Sequence, residues 1–465
     1  MTEIKAPPWP IDDKGAMTPE LAAKYATAVP RYTSYPTAPH FSPAVDDAHY
    51  RRWLTATDPD APLSLYLHIP FCDALCWFCG CHTRIVNRYG PIAGYLAVLG
   101  EEIDLVAEAL GALRAVSHIH FGGGSPNIVA PDDFRSLMDR LRRRFALAPG
   151  AEIAVEIDPR GMTGEGVDAL ARAGVTRASL GVQDFDATVQ RAINRIQTFD
   201  ETAEVVRMLR RAGIGEINID LIYGLPFQTR AGIIETVEKV LLLEPQRVAV
   251  FGYAHVPWIK RHQRLIDEAA LPDTAERWRQ SAAAAARLKA AGYIAVGLDH
   301  FARADDAMAR ALGAGRLRRN FQGYTTDAAP ALIGLGASAI GSLAEGYVQN
   351  AVAIEAYREA IGERRFAIER GLALDDDDRL RRDIIERLMC DLAVDLGAVC
   401  GKWRASPDDF AGEFAALRPM EDDGLVRITG RRIRVTEEGR PLVRAVCAVF
   451  DRYLETQGRR HSQAV

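Results

Sequence analysis

The chain has 465 residues, of which 48% are hydrophobic and 26% are charged, and its formal net charge is −5. This length allows one large domain together with smaller ones. The mildly acidic balance argues against nonspecific nucleic-acid binding, which requires a concentrated basic surface.

The start of the chain, MTEIKAPPWPIDDKGAMTPE, contains no apolar segment of signal-peptide length. No stretch of about 18 apolar residues occurs anywhere in the sequence, so no membrane span is predicted. We therefore expect a cytoplasmic protein. Its seven cysteines are then expected to be reduced, not paired in disulfides.

Residues 1–60 are interpreted as an irregular N-terminal arm that carries RYTSYP at 31–36. From 61 to 300, short apolar runs alternate with longer amphipathic ones. Strands are predicted at 63–71, 116–123, 152–159, 177–184, 216–224 and 247–256, and intervening helices at 131–145, 201–213 and 231–244. Glycines at 174, 213 and 292 stand where a helix C-cap needs a left-handed residue. Successive βα units predict an α/β fold with a parallel sheet, open or closed into a barrel, whose chemistry gathers at the carboxyl ends of the strands.

The alternation stops after residue 300. Residues 301–375 form a predicted connecting region on the substrate side, with the basic, aromatic GRLRRNFQGYTT (315–326) and the glycine-rich LIGLGASAIGS. Residues 376–465 are predicted to be mainly helical and winged-helix-like, with a hairpin at 425–436 followed by a helix. A winged helix can bind DNA, but the acidic balance favours a packing domain, and no nucleic-acid partner is expected.

Four cysteines lie in HIPFCDALCWFCGC at 68–81. Cys72, Cys76 and Cys79 are spaced C-x3-C-x2-C directly after the first predicted strand, and Cys81 follows. A zinc site would use four cysteines, usually as two separated pairs, and a closed iron–sulfur carrier would also use four. Three thiolates on a four-iron cluster leave one iron open, as a catalytic site needs. The remaining cysteines are predicted to be small buried hydrophobes: Cys390, Cys400 and Cys447.

Further polar and glycine-rich motifs follow the later strands. HFGGGSPN at 120–127 lets the backbone approach a ligand and expose its N–H groups, or else forms a tight βα turn. Arg195 is suited to bidentate pairing with a carboxylate, although it could equally be a surface helix arginine. Each strand-end side chain alone could be structural, but together they indicate one site: Glu156, Gln183, Asp220 and His255.

The motifs SLYLHIPFCDALCWFCGC, HFGGGSPN, VEIDP, GVQDF, INRIQT, DLIYGLP, LDHFAR, RNFQGYTT and RYTSYP together resemble the oxygen-independent coproporphyrinogen III oxidases (coproporphyrinogen dehydrogenases) of the radical S-adenosylmethionine (SAM) superfamily. The likeness extends from about residue 30 to the C-terminus. It implies a partial TIM-like (β/α)6 barrel with an N-terminal arm and a mainly helical C-terminal domain. Two departures are Ser125, where Thr is commoner, and Ala304, where Pro is common.

The resemblance also implies the cofactors and their ligands. Cys72, Cys76 and Cys79 would bind a [4Fe-4S] cluster whose open iron is chelated by SAM, and a second SAM would bind nearby. The first SAM would contact Tyr66, Gly123 and Glu156. The second would contact Phe78, Gly124, Ser125, Gln183, Arg195, Asp220, Ala254 and Ile340. Tyr66 and Cys81 are the catalytic candidates implied, Cys81 as a non-ligand.

The implied reaction converts two propionates of coproporphyrinogen III to vinyl groups, giving protoporphyrinogen IX in heme biosynthesis. A 5′-deoxyadenosyl radical from SAM removes a hydrogen from the propionate β-carbon, after which carbon dioxide and one electron are lost. An electron donor for the cluster and a terminal acceptor are required, and a monomer is expected. We expect RYTSYP to close the barrel mouth through Tyr32 and Tyr35. The hypothetical propionate-binding side chains are Arg303, Arg316, Arg318 and Arg319.

Three alternatives remain at this stage. The first is a heme-binding delivery protein with a radical SAM core; such relatives typically lack the cysteine corresponding to Cys81 and the RYTSYP arm. The second is a radical SAM enzyme that modifies another tetrapyrrole. The third is a structural zinc protein with a DNA-binding tail.

Overall fold

The computed structural model describes residues 18–25 and 27–454. The strands in this part of the chain are β1 (Leu63–Ile69), β2 (Phe71–Cys72), β3 (Arg84–Ile85), β4 (Arg114–Gly123), β5 (Phe145–Ile157), β6 (Arg177–Gln183), β7 (Glu216–Tyr223), β8 (Arg247–Gly252), β9 (Ile294–Val296), β10 (His300–Ala302), β11 (Arg318–Asn320), β12 (Gly323–Thr325), β13 (Ala331–Leu335), β14 (Ile340–Ser342), β15 (Gly346–Asn350), β16 (Ile368–Ala373), β17 (Ala393–Asp395), β18 (Val426–Thr429) and β19 (Arg432–Val435).

The α-helices of the described residues are α1 (Pro19–Tyr25), α2 (Asp47–Ala56), α3 (Gly90–Leu110), α4 (Pro131–Arg144), α5 (Gly164–Arg172), α6 (Ala187–Ala192), α7 (Phe199–Arg211), α8 (Arg230–Leu242), α9 (Thr274–Ala290), α10 (Ala307–Gly313), α11 (Ile354–Gly362), α12 (Asp376–Asp391), α13 (Leu396–Trp403), α14 (Ala411–Asp422) and α15 (Val443–Ala448). Short 3-10 turns lie at Ala38–His40, Pro126–Ile128, Arg261–Leu265, Glu268–Ala270, Pro407–Phe410 and Arg440–Leu442. Within these ranges, no helix combines the length and the apolar character that crossing a membrane requires.

One large sheet organises the described chain, with the strand order β16-β15-β14-β13-β1-β4-β5-β6-β7-β8-β10-β9. The strands from β13 to β8 in this order are mutually parallel, and helices connect them. Their carboxyl ends therefore lie at one edge of the sheet, where ligands bind in parallel α/β folds. The six βα units that begin with β1, β4, β5, β6, β7 and β8 confirm the predicted partial barrel.

The predicted elements of this region are confirmed with shifted ends. β5 begins at Phe145, well before the predicted residue 152, and Pro70 separates the first predicted strand into β1 and β2. The predicted C-cap glycines all have positive φ angles: Gly174 (83°), Gly213 (88°) and Gly292 (87°). Glycine is favoured there because a side chain would be strained in this conformation.

Three expectations need correction. The first sixty residues are not uniformly irregular: α2 is capped by Asp46 and buries Tyr50, Trp53 and Leu54 in the main core. The main sheet does not stop near 300, because β10 and β13 to β16 extend it. The hairpin predicted at 425–436 is present as β18 and β19, but the long helix after it is only α15, since Pro441 lies in a 3-10 turn.

Buried ion pairs lie near the amino ends of the parallel strands. Arg177, at the start of β6, contacts Glu152 at 3.2 Å, and Arg247, at the start of β8, contacts Asp306 at 2.8 Å. Arg177, Arg247 and Asp306 are buried, so their charges are stabilised chiefly by each other. The charged side chains at this end of the sheet therefore have a structural role, and the candidate catalytic residues lie at the opposite end.

Glu102 of α3 is a buried carboxylate beside the β13–β14 turn. It accepts hydrogen bonds from the Gly336 N–H (2.6 Å), the Asn350 amide (2.6 Å) and the Tyr357 hydroxyl (2.7 Å). Burial raises the pKa of Glu102 to about 7, even though the three hydrogen bonds act in the opposite direction. The carboxyl group thus links α3 to the turn that leads to β14.

This pKa predicts a pH-dependent stability that Glu102→Gln should remove. The folded state holds the Glu102 proton up to about pH 7, whereas the unfolded chain releases it near 4.5. The stabilisation of the folded state by protonated Glu102 is therefore complete below pH 4.5 and is lost as the pH rises through 7. The free energy of unfolding falls by about 3 kcal/mol over this range. Urea unfolding at several pH values should show the glutamine variant gaining stability relative to the parent between pH 5 and 8. A pH-independent difference would contradict the assignment.

Candidate active site

The three candidate cluster ligands lie in residues 70–83, the cysteine loop, which follows β1 at the carboxyl edge of the sheet. Cys72 ends the short strand β2, and Cys76 and Cys79 come after it. Each sulfur accepts a hydrogen bond: Cys72 from the Ser125 hydroxyl (3.6 Å), Cys76 from Arg160 and from Arg195 (3.5 Å each), and Cys79 from the Cys81 N–H (3.4 Å). Such contacts to sulfur tune iron–sulfur clusters. The three thiols with their donors therefore fit the cluster that the sequence implied.

The thiols differ in acidity. Burial raises the pKa of Cys72 to about 11. A hydrogen bond from the Cys81 side chain lowers the pKa of Cys79 to about 6, and the same bond raises the pKa of Cys81. The contact with Cys81 therefore favours the thiolate of Cys79, which is the form that binds a metal. Among the residues that the structure describes, no three His, Cys, Asp or Glu side chains are arranged to share a single metal ion.

Later parts of the chain hold the cysteine loop by its main chain. Four side chains contact its carbonyl oxygens: Asn194 at Leu75 (2.8 Å), Gln263 at Phe78 (2.9 Å), His262 at Cys79 (2.7 Å) and Lys260 at Cys81 (2.9 Å). These anchors were not predicted from the sequence. The only local indication was a run of polar side chains, KRHQ, soon after a strand end.

The glycine run packs tightly against the cysteine loop. A Cβ at Gly124 would lie 2.4 Å from the Phe71 carbonyl oxygen, and one at Gly123, where φ is 110°, would lie 2.5 Å from the His68 ring. A Cβ at Gly122 would approach the Glu156 carboxylate to 2.7 Å. No larger residue fits here without movement of its neighbours.

The expectation that these glycines expose their N–H groups to a ligand is wrong. The Gly123 N–H donates to Glu156 (3.2 Å), the Gly124 N–H to the Ile69 carbonyl (2.8 Å) and the Ser125 N–H to the Phe71 carbonyl (2.8 Å). The close approach of β4 to the chain after β1 accounts for this use of the donors.

Gly124→Ala tests this packing. The added methyl group would collide with main-chain atoms of the cysteine loop, so we expect it to lower the free energy of unfolding by about 1–3 kcal/mol and to reduce iron retention. Gly164→Ala is the matched control, because nothing lies within 4 Å of its Cβ position. Urea unfolding and iron content would be compared; equal behaviour of the two variants would refute the contact.

Glu156, on β5, lies among aromatic side chains from β1 and β4. Its carboxylate contacts the His120 ring at 3.1 Å, and that ring stacks on Tyr66 at 5.8 Å between centroids. Burial alone would raise the pKa of Glu156, but the hydrogen bonds from His120 and Gly123 lower it. The Glu156 carboxylate is therefore negatively charged, and it lies at the carboxyl ends of the strands.

Tyr66 and His68, both on β1, form a second contact. The Tyr66 hydroxyl lies 3.0 Å from His68 Nδ1, and His68 Nε2 lies 3.0 Å from the His82 carbonyl oxygen. Because a carbonyl only accepts, Nε2 carries the proton and Nδ1 accepts from the tyrosine. Burial lowers the pKa of His68 and thus favours the neutral ring.

The next two strands bring further predicted residues to the same edge. Asp220, on β7, accepts from Ser179 and Asn218 at 2.8 Å each, and burial raises its pKa. Gln183, at the end of β6, has a φ of 70°, an uncommon value that concentrates at functional sites. His255 contacts Tyr253 at 2.8 Å and Glu268 at 3.0 Å.

Arg195 forms the predicted bidentate pair, and its partner is Asp158. The two guanidinium nitrogens lie 3.0 and 3.2 Å from the carboxylate, and one of them also donates to the Gly181 carbonyl at 2.6 Å. Asp158 further pairs with Arg160 at 2.6 Å. Sequence analysis missed Asp158 and Arg160, although both belong to the VEIDPR segment.

The remaining candidates lie around this centre. Phe78 packs against a small hydrophobic cluster that includes Tyr253 and Ile193, and the Ala254 carbonyl accepts from Gln263 at 3.2 Å. Ile340 begins β14 and its main chain adjoins Gly334, which pairs with Tyr66 across β1 and β13. Cys390, Cys400 and Cys447 are buried away from the site, as predicted.

A cavity of about 770 Å³ lies near the cysteine loop. Its lining includes Ala254, whose carbonyl accepts from the same Gln263 amide that donates to the Phe78 carbonyl of the loop. Of the four hypothetical propionate-binding arginines, Arg319 lines this cavity. Arg303 and Arg318 instead pair with Asp305 (3.5 Å) and Glu386 (3.4 Å), and Arg316 is exposed outside the cavity lining.

The RYTSYP arm contributes to the same cavity, but not through its tyrosines. Tyr32 and Tyr35 are buried in the C-terminal core, where their hydroxyls contact Asp451 (3.0 Å) and the Arg452 N–H (3.1 Å). The alternate residues Arg31 and Thr33 line the cavity. The expectation that both tyrosines close the barrel mouth is therefore wrong.

Comparison with known proteins agrees with this architecture. Residues 66–240 match the Radical SAM superfamily and residues 374–442 match the HemN C-terminal domain. An oxygen-independent coproporphyrinogen III oxidase of Bradyrhizobium diazoefficiens is 55% identical over 97% of this chain and 100% of its own length. One from Salmonella typhimurium is 42% identical over 94% of this chain and 96% of its own.

A solved structure extends the likeness to three dimensions. The coproporphyrinogen III oxidase HemN of Escherichia coli, described as a radical SAM enzyme, matches with a TM-score of 0.88 at 40% identity. The match covers 91% of this chain and 98% of that one. The chain thus belongs to the oxygen-independent coproporphyrinogen III oxidase family of radical SAM enzymes.

Proposed function

We propose that this protein oxidatively decarboxylates two propionate side chains of coproporphyrinogen III to vinyl groups, giving protoporphyrinogen IX. The observation that carries the proposal is the cysteine loop at the carboxyl edge of the sheet, with hydrogen-bond donors on three of its sulfurs. The similarity to coproporphyrinogen III oxidases over nearly the whole chain is the basis for proposing this substrate. The heme-delivery alternative is disfavoured because both Cys81 and the RYTSYP arm are present.

The residues described above fit the implied cofactors. Cys72, Cys76 and Cys79 would hold a [4Fe-4S] cluster, and SAM would complete its coordination. Bound together, the reduced cluster and SAM supply the one-electron chemistry that removes a hydrogen atom from the substrate. The first SAM would contact Tyr66, Gly123 and Glu156. The second would contact Phe78, Gly124, Ser125, Gln183, Arg195, Asp220, Ala254 and Ile340.

The protein's own side chains orient the reacting groups. Ionised Glu156 suits a cationic or hydroxyl-bearing part of a ligand, and the nearby Gly123 N–H fixes its carboxylate (3.2 Å). Tyr66 is held by His68 and by stacking on His120, so its ring presents one orientation to the site. Cys81 lies at the loop end, where its N–H donates to the Cys79 sulfur at 3.4 Å, and the role proposed for it is catalytic, not metal binding.

Each propionate must lose a hydrogen atom from its β-carbon, then carbon dioxide and one electron. The electron donor for the cluster and the terminal acceptor are external to the chain. Enclosure matters because a carbon radical reacts with oxygen. Residues of the arm and of the C-terminal region line the cavity near the cysteine loop.

The test is an anaerobic assay of the reconstituted protein with reductant, SAM and coproporphyrinogen III. We expect a product lighter than the substrate by two carbon dioxide units and the accompanying hydrogens, together with methionine and 5′-deoxyadenosine. Deoxyadenosine without substrate decarboxylation would point to another substrate. Neither product, from protein with a reducible cluster, would contradict the proposal.

A further inference from the structure

The cavity beside the cysteine loop has an unbalanced charge. Its volume of about 770 Å³ falls within the range of about 300–1,000 Å³ that is usual for small-molecule sites. Aromatic side chains, among them Phe251, Trp278 and Phe321, form part of its wall. Of the described residues that line it, two are carboxylates, Asp299 and Glu437. Six are cationic: Arg31, Arg277, Lys289, Arg319, Arg440 and Arg444.

Both carboxylates already have partners. Glu437 pairs with Arg440 (2.6 Å) and Lys289 (3.1 Å), and Asp299 contacts the His300 ring at 2.8 Å. Asp299 also faces the positive charge of Arg319 and Arg31, but two carboxylates among six cationic side chains leave the cavity lining with an excess of positive charge. Several like charges that line one space repel each other and attract an anion into it.

Three of these arginines are oriented by main-chain carbonyls. Arg31 donates to Gly252 (3.2 Å), Arg277 to Tyr253 (2.9 Å) and Arg319 to Tyr32 (3.2 Å). Throughout residues 18–25 and 27–454, none of the three forms an ion pair with a carboxylate, and Arg319 Nη1 is buried without a hydrogen-bond partner. A carbonyl fixes a guanidinium without cancelling its charge, so each remains able to bind an anion.

Two cation–π contacts also hold the guanidinium groups of Arg277 and Arg319 in place. Arg277 lies 5.6 Å from the centroid of the Tyr223 ring, and Arg319 lies 4.2 Å from that of Tyr324. Burial lowers the pKa of Arg277, and the positive charge of Arg31 acts in the same direction. Preorganised forks of this kind are suited to planar carboxylates.

We propose that Arg31, Arg277 and Arg319 form a receptor for the propionate carboxylates of the tetrapyrrole substrate, anchoring the macrocycle while one propionate reaches the cysteine loop. The inference rests on the proposed function and adds the residues that recognise the substrate. It replaces the set suggested by sequence, of which Arg319 alone remains. Coproporphyrinogen carries four carboxylates, and pyrrole rings suit the aromatic wall.

Hydrogen bonds connect the wall of the cavity to the cysteine loop. The Gln263 amide donates both to the Ala254 carbonyl on the cavity wall (3.2 Å) and to the Phe78 carbonyl in the cysteine loop (2.9 Å). Arg31 and Arg277 are fixed to Gly252 and Tyr253, directly before Ala254. A substrate held by these arginines is therefore positioned relative to the loop by a short, hydrogen-bonded path.

The experiment is a binding measurement on the reconstituted protein, made anaerobically without reductant so that no turnover occurs. Arg277→Gln and Arg319→Gln should each raise the Kd for coproporphyrinogen III by roughly 10- to 100-fold, because each removes charge-assisted hydrogen bonds. Arg277→Lys should recover part of the affinity. The tetramethyl ester of the substrate, which lacks the anions, should bind weakly and equally to all of them.

Arg279→Gln is the matched control. Arg279 lies on α9 two residues from Arg277, is exposed, pairs with Glu276 (3.1 Å) and does not line the cavity. Unchanged Kd values in Arg277→Gln and Arg319→Gln, with decarboxylation by the parent intact, would overturn the receptor and leave the proposed function standing. If Arg319→Gln does not fold, Arg277→Gln decides alone. A parent protein that neither binds nor decarboxylates coproporphyrinogen III would overturn both.

Discussion

Replacing Cys72, Cys76 or Cys79 by alanine should abolish cluster binding and turnover, whereas Cys81→Ala should retain the iron. Three thiolates are the minimum set for a cluster with one open iron, so losing any one leaves too few ligands. Cys81 instead hydrogen bonds to Cys79, and its own N–H donates to the Cys79 sulfur at 3.4 Å. Iron and sulfide content after anaerobic reconstitution would be measured together with 5′-deoxyadenosine formation.

Cys400→Ala is the control for loss of a thiol, because Cys400 is fully buried in the C-terminal core, far along the chain from the loop. It should retain both iron and deoxyadenosine formation. Loss of iron in Cys81→Ala would indicate a site with four protein ligands and would remove the open position. Retained iron but reduced decarboxylation in Cys81→Ala is the expected result for a catalytic thiol.

The repetitive part of this fold was readable from sequence because short runs that are apolar throughout or at every other position predict strands. EINIDLIY became β7, and its neighbours followed the same pattern. The site residues at the strand ends were readable for a related reason. A carboxylate such as Asp220 in an otherwise apolar strand raises the free energy of the folded state unless it has a polar partner. The Arg195 pairing was predictable in kind, but its partner was not.

Other contacts have no local pattern to read. The His262 ring meets the Cys79 carbonyl across 183 positions, and Arg319 meets the Tyr32 carbonyl across 287. A side chain that binds a main-chain oxygen imposes no sequence requirement on its partner. For the same reason, the sequence did not indicate Arg277 and Arg31 as substrate-binding residues. Which arginines line the cavity depends on the three-dimensional fold. The RYTSYP tyrosines were misplaced because alternate residues of the arm face opposite surroundings.

Arg195→Ala should lower the free energy of unfolding by about 3 kcal/mol and should weaken cluster retention. The side chain is buried and joins Asp158 (3.0 Å), the Gly181 carbonyl (2.6 Å) and the Cys76 sulfur (3.5 Å). Its removal leaves Asp158 with Arg160 alone and takes one donor from the sulfur. Urea unfolding of the protein before and after cluster reconstitution would separate the two effects.

Arg191→Ala is the matched control, since Arg191 lies on α6 just before Arg195, is exposed and donates to the Thr188 hydroxyl at 3.2 Å. Its effect should stay within about 0.5 kcal/mol, as for ordinary surface substitutions. Arg195→Lys should fall between the two, because lysine keeps the charge but cannot bridge the carboxylate, carbonyl and sulfur as a fork does. If Arg195→Ala unfolds like Arg191→Ala and keeps its iron, the Asp158–Arg195–Cys76 link does not hold the cysteine loop, and the loop's stability must come from the main-chain anchors Lys260, His262 and Gln263.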